Sequence, residues 1–134
     1  MSEKQCAITY GTFDVMHYGH IRLLNRIAEL GLPIYVGLST NEFNTEKGKE
    51  TVLSYEEREA CLHALRMVEH VFPESSWDQK RDDIKKYNAK YFVMGDDWNG
   101  KFDDLADVVE VIYLPRTESI SSTIIKASIA NQIL

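Results

Sequence analysis

The chain has 134 residues, a formal net charge of −6 at pH 7, and 44% hydrophobic against 27% charged residues. That length holds one hydrophobic core with little room for a second, so a single domain over residues 1–134 is expected. The acidity argues against a general binder of nucleic acid or anionic membranes, and no stretch approaches the ~20 apolar residues that cross a bilayer.

Met1-Ser2-Glu3-Lys4-Gln5 and the short apolar run after it lack a signal-peptide pattern. Cys6, in an apolar strand, and Cys61, on an apolar helix face, read as reduced core thiols, which suits the cytoplasm. Residues 6–10 are a short buried strand, followed by Gly11-Thr12-Phe13-Asp14-Val15-Met16-His17-Tyr18-Gly19-His20. This is a glycine turn leading to two histidines on the first turn of a helix over about 19–30, ended by Gly31 and Pro33. A second strand covers 34–39, and 40–52 is polar and loop-like, with Lys47 and Lys49. Ser54-x-x-Glu57 is a capping box opening a helix through about Met67. A short strand at 71–72, a charged helix at 78–88 and strands at 91–94 and 109–114 follow; Ser121 caps a last helix over 122–132. The near-continuous apolar strands suit a parallel sheet covered on both faces. The fold expected is a Rossmann-like three-layer α/β/α domain with a parallel five-stranded sheet, its ligands beyond the carboxyl ends of the strands.

A helix start presents free N–H groups and a positive dipole end, a natural seat for phosphate. His17 and His20, three apart, project to one side of it, and Gly19 leaves room for close approach. The alternatives are a zinc pair, for which no third ligand stands at a recognisable spacing, and an incidental pair. Lys47, Lys49 and Lys80 taken alone are solvated charges, and Arg58 and Arg66 are ordinary helix charges. Arg116, after the last strand, is placed to clamp triphosphate oxygens, with Ser121, Ser122 and Thr123 opening a second helix N-terminus. Trp77 and Trp98 read as packing residues.

The string Gly-Thr-Phe-Asp-x-x-His-x-Gly-His resembles the first motif of the cytidylyltransferase-like nucleotidyltransferases. Arg116-Thr117-Glu118-Ser119-Ile120-Ser121-Ser122-Thr123 is similar to that family's C-terminal nucleotide-binding motif, with Ser119 where the usual string has Gly and Ser122 where it has Thr. Val93-Met94-Gly95-Asp96-Asp97-Trp98-Asn99-Gly100-Lys101-Phe102-Asp103 looks most like the family's bacterial glycerol-3-phosphate cytidylyltransferase branch.

The resemblance implies attack of a glycerol 3-phosphate oxygen on the α-phosphorus of CTP, giving CDP-glycerol and pyrophosphate for a teichoic acid or capsular polymer. It implies CTP contacts by Thr12, Phe13, His17, Tyr18, Gly19, His20, Lys49 and residues 116–123, with His17, His20, Lys49 and Arg116 catalytic. By the same resemblance Lys47 and Lys80 bind the acceptor, and Arg58 and Arg66 support the site or a subunit contact. Asp14 and Asp97 are open between magnesium coordination and a structural hydrogen bond. Magnesium with CTP and a homodimer are expected too. The competing readings are another acceptor (a polyol phosphate, phosphocholine or phosphoethanolamine), adenylyl transfer, and a non-catalytic nucleotide-binding module.

Overall fold

Five strands, β1 (Cys6–Gly11), β2 (Ile34–Ser39), β3 (Val68–Glu74), β4 (Ala89–Gly95) and β5 (Glu110–Leu114), pair in the order β3-β2-β1-β4-β5, every pair parallel. They come from a computed structural model that describes residues 4–115 and Lys126. The chain steps outward from β1 to β3, then crosses back to lay β4 on the other side of β1. The order therefore reverses between β1 and β4, and the loops leaving those two strands part to open a crevice at their carboxyl ends.

Alternation along β1 divides the core. Cys6, Ile8 and Tyr10 pack with Phe72, Phe92, Met94 and Ile84 of α4 (Lys80–Lys86) on one face of the sheet. Ala7 packs on the other with Leu24 and Ile27 of α1 (Tyr18–Ala28) and Leu62 of α3 (Tyr55–His63). Both faces are covered, which is why the strands read as unbroken apolar runs and why the three-layer α/β/α expectation holds. A close approach fixes one residue type: a Cβ on Gly37 of β2 would lie 2.4 Å from the Tyr10 ring, so glycine there lets that ring lie over the sheet.

Several boundaries differ from expectation. The polar stretch 40–52 contains a helix, α2 (Asn41–Glu46), capped by Thr40, whose hydroxyl accepts from the Phe43 N–H at 3.1 Å. Six residues are too few to show a helical period, so the sequence pattern passes over it. The capping box at Ser54 is present, with bonds of 2.9 and 3.2 Å, but α3 ends at His63 rather than near Met67. The charged helix divides into a 3-10 turn (Trp77–Gln79) and α4. β3 is seven residues long and lies at the sheet edge, where Pro73 is tolerated despite lacking an N–H. The C-terminal motif at 116–123 and the last helix lie outside the described residues, save Lys126, which is helical.

Candidate active site

The loop leaving β1 is strained. Phe13 and Val15 hold φ of 48° and 51°, the left-handed region that a bulky or β-branched residue rarely enters. Each such residue costs on the order of 1–3 kcal/mol, so the surroundings must impose the shape. Asp14, between them, accepts from the Val52 and Leu53 N–H groups at 2.8 and 3.0 Å and from the Lys126 ammonium. Arg58 of α3 has no solvent exposure. It donates to the carbonyls of Thr12 (3.0 Å), Ser39 (2.7 Å) and Leu53 (3.2 Å) and to Asn41 Oδ1 (2.9 Å). Arg58 therefore clamps the strained loop from behind.

Burial opposes ionisation of Asp14, but the Lys126 hydrogen bond and the two backbone N–H groups together hold its carboxyl below the ordinary value. Of the two roles left open for Asp14, the observed contacts are those of a structural anchor joining the first loop to the segment after α2.

His17 is the N-cap of α1, and no Ser, Thr, Asp or Asn is used there. Its Nδ1 accepts from the Gly19 N–H at 3.0 Å, and Nδ1 of His20 accepts from the His17 N–H at 3.2 Å. The two imidazoles form a capping box, stacked with ring centroids 3.8 Å apart. An Nδ1 that accepts carries no proton, so each ring bears its proton on Nε2 as a free donor. Burial lowers the pKa of His17; burial, with His17 adding and Asp14 opposing, takes His20 down to about 4. Both rings are thus neutral donors near pH 7, held by backbone bonds before any ligand arrives.

The crevice is a cavity of about 520 Å³. Of the expected residues, Thr12, Phe13, Asp14, His17, Gly19, His20, Lys47, Lys49, Lys80 and Asp97 line it. Leu114 and Pro115, which lead into the C-terminal motif, line it too. Lys47 caps the end of α2, with its ammonium on Ser39 Oγ at 2.9 Å and 4.5 Å from the Phe43 ring centroid. Its burial, with Lys49, Lys80 and Arg58 adding and Glu74 opposing, lowers its pKa to about 8. Tyr18 points away, 61% exposed on a separate shallow surface with Arg22 and Asn25. Arg58 lies behind the wall, and Arg66 is exposed on the turn between α3 and β3. Trp98 packs as expected, against the core cluster with its ring centroid 5.5 Å from that of Phe102, and it also lines the cavity, whereas Trp77 lines the cavity 51% exposed, 6.1 Å from the Trp98 ring centroid.

Sequence reasoning missed Tyr10, Arg22, Arg26, Glu74, Phe102 and Lys126, all of which line the cavity. Arg22 and Arg26 were detectable, because they follow Gly19 at helical spacings of three and seven on one face. Glu74 gave no signal, since its partners come from β2 and α4.

A switch-point crevice with a helix start, two fixed imidazole donors and several inward cations is a site for phosphates. The sequence model of the cytidylyltransferase-like family matches residues 8–128, and the chain belongs to that family. It is 55% identical over 123 residues to glycerol-3-phosphate cytidylyltransferase of Bacillus subtilis strain 168, covering 92% of this chain and 95% of that protein. It is 54% identical over 119 residues to the Staphylococcus aureus protein of the same name, covering 89% and 90%. Among solved structures, the lipopolysaccharide core biosynthesis protein of Thermoplasma volcanium GSS1 superposes with a TM-score of 0.71 at 18% identity. That match covers 87% of this chain and all of the other, and it bears on the fold alone.

Proposed function

We infer that the chain transfers the cytidylyl group of CTP to glycerol 3-phosphate, giving CDP-glycerol and pyrophosphate. The observation that carries this reading is the reciprocal cap of His17 and His20, which fixes two Nε2–H donors at the β1–β4 switch point. The relatives at 53–55% identity carry the acceptor identity.

In the reaction an oxygen of the glycerol phosphate bonds to the α-phosphorus. The bond from that phosphorus to the oxygen bridging the β-phosphate breaks in line, and the electron pair leaves on pyrophosphate. The protein's work is positioning and charge stabilisation. The two Nε2–H groups donate to α- and β-phosphate oxygens as charge builds there, and the N-terminus of α1 adds its dipole. Neutral rings suit this role, because a donor that keeps its proton needs no recharging between turnovers. Lys49, and Arg116 beyond the described residues, draw charge from the triphosphate, while Lys47 and Lys80 receive the acceptor phosphate.

Magnesium brought with CTP would offset triphosphate charge, and Asp97, whose side chain lines the cavity, would be a carboxylate placed to hold it. Asp14 is occupied by two N–H groups and Lys126. The described residues hold no group of three metal-binding side chains, so the zinc alternative gains no third ligand there. The same proposal includes a homodimer and a cytoplasmic site serving a teichoic acid or capsular polymer. No helix among the described residues is long and apolar enough to cross a membrane.

Pyrophosphate release from CTP or ATP with a panel of phosphorylated alcohols tests the reading. Release confined to CTP with glycerol 3-phosphate, and lost in His17→Ala, is expected. Release with a different pair moves the substrate, and nucleotide binding without release favours a non-catalytic module. Sedimentation of the purified chain tests the dimer.

A further inference from the structure

Glu74 ends β3 at the inner wall of the cavity, 3% exposed. One carboxylate oxygen accepts from Lys80 Nζ at 2.6 Å, and the other accepts from Ser39 Oγ at 2.8 Å. That hydroxyl oxygen in turn accepts from Lys47 Nζ at 2.9 Å. A single buried carboxylate thus holds two ammonium groups, Lys80 directly and Lys47 through a hydroxyl. The Lys80 ammonium also lies 4.7, 5.3 and 5.5 Å from the ring centroids of Tyr10, Trp77 and Phe102.

A carboxylate in a phosphate pocket is at first sight a fault, because it repels the ligand. Its placement offers a resolution. Lysine side chains are long and lose much rotamer freedom when ordered. With Glu74 and the three rings fixing Lys80, and Ser39 relaying to Lys47, that ordering is complete before the acceptor binds. Two ammonium groups against one carboxylate still leave the inner wall net positive. Oxygens of an entering phosphate can share both ammonium groups without either lysine leaving its anchor.

On the reading that glycerol 3-phosphate is the acceptor, we propose that Glu74 is a positioning residue for acceptor binding, acting through Lys80 and, by way of Ser39, through Lys47. It touches no reacting atom, so its loss falls on acceptor affinity rather than on nucleotide affinity or the chemical step.

Steady-state kinetics of the whole chain, varying CTP and glycerol 3-phosphate separately, test this with Glu74→Gln and Ser39→Ala. Glu74→Gln raises KM for glycerol 3-phosphate at least tenfold, and Ser39→Ala, which cuts only the Lys47 branch, raises it about threefold. In both, KM for CTP and kcat at saturation stay within about 1.5-fold. A glycerol 3-phosphate KM that is unchanged or lower in Glu74→Gln overturns the proposal and marks Glu74 as neutral or repulsive. Equal losses toward both substrates overturn it too, as a general structural role. If Glu74→Gln fails to fold, Ser39→Ala decides by the same criterion. An active wild type with unaffected variants sinks this inference alone, whereas a wild type inactive with the pair sinks the functional reading as well.

Discussion

His17 and His20 hold each other in place: each Nδ1 accepts a backbone N–H of the same helix start, and the rings stack at 3.8 Å. Capping and catalysis therefore use opposite edges of one ring and can be separated by substitution. Asparagine at position 17 restores a good cap but supplies no Nε2–H at the imidazole's reach. His17→Asn is expected to keep thermal stability near wild type while lowering kcat by 10²–10³, in line with losing one preorganised donor. His17→Ala loses the cap as well, by about 1 kcal/mol. Parallel melting curves and pyrophosphate assays check this; equal melting temperatures in the two variants would refute the capping role.

Protonation of His20 bears on stability with a definite sign. Its folded pKa of about 4 lies below the ordinary 6.5, mainly through burial. The unfolded chain takes up the proton first as pH falls, so the stability contribution is whole above 6.5 and is lost between about 6.5 and 4. Urea midpoints across that range should fall in the wild type, and less so in His20→Asn. A midpoint slope unchanged by His20→Asn would place the acid sensitivity elsewhere.

Lys47 sets a limit at the alkaline end. With its pKa near 8 in the free protein, the ammonium is present below that value and lost above it. KM for glycerol 3-phosphate should rise as pH passes 8, while KM for CTP changes less. Lys47→Arg, whose guanidinium stays charged, should flatten that rise even where it weakens binding overall. A wild-type profile flat to pH 9.5 would remove Lys47 from acceptor recognition.

The parts of this site that could be read from sequence share a physical property: their partners are close along the chain, or their pattern covers a whole face. Strands buried on both sides show as apolar runs, and Ser54 with Glu57 shows as a capping box because both bonds close within one turn. The role of Glu74 depends on Ser39, 35 residues away, and on a lysine placed by a 3-10 turn. Tyr18 shows the reverse failure. It sits inside the most informative motif, yet the first turn of α1 points it outward, 61% exposed, because residues adjacent on a helix face different ways. The double role of the histidines was hidden because imidazoles are unusual caps. Their spacing shows that both project to one side of the helix start, whereas the capping edge depends on how each ring is turned, which spacing does not fix.

Arg58 and Arg66 looked alike as two helix arginines, and the structure separates them. Arg58 is fully buried, with four bonds to groups that fix the first loop and the end of β2. Its removal takes a donor from three carbonyls, that of Ser39 in a buried bond, and a buried group left unsatisfied costs about 1–3 kcal/mol. Arg58→Ala should therefore lose on the order of 3 kcal/mol or more, since breaking a buried hydrogen-bond network is among the larger single effects. Lysine cannot rescue it, because one ammonium does not span the directions of the guanidinium fork. Arg66, exposed on its turn, should tolerate alanine within about 0.5 kcal/mol. Denaturant midpoints of the three variants decide it. Equal losses at 58 and 66 would show that Arg66 is buried by something absent from the isolated chain, such as a second copy, and the concentration dependence of the midpoint would then reveal that copy.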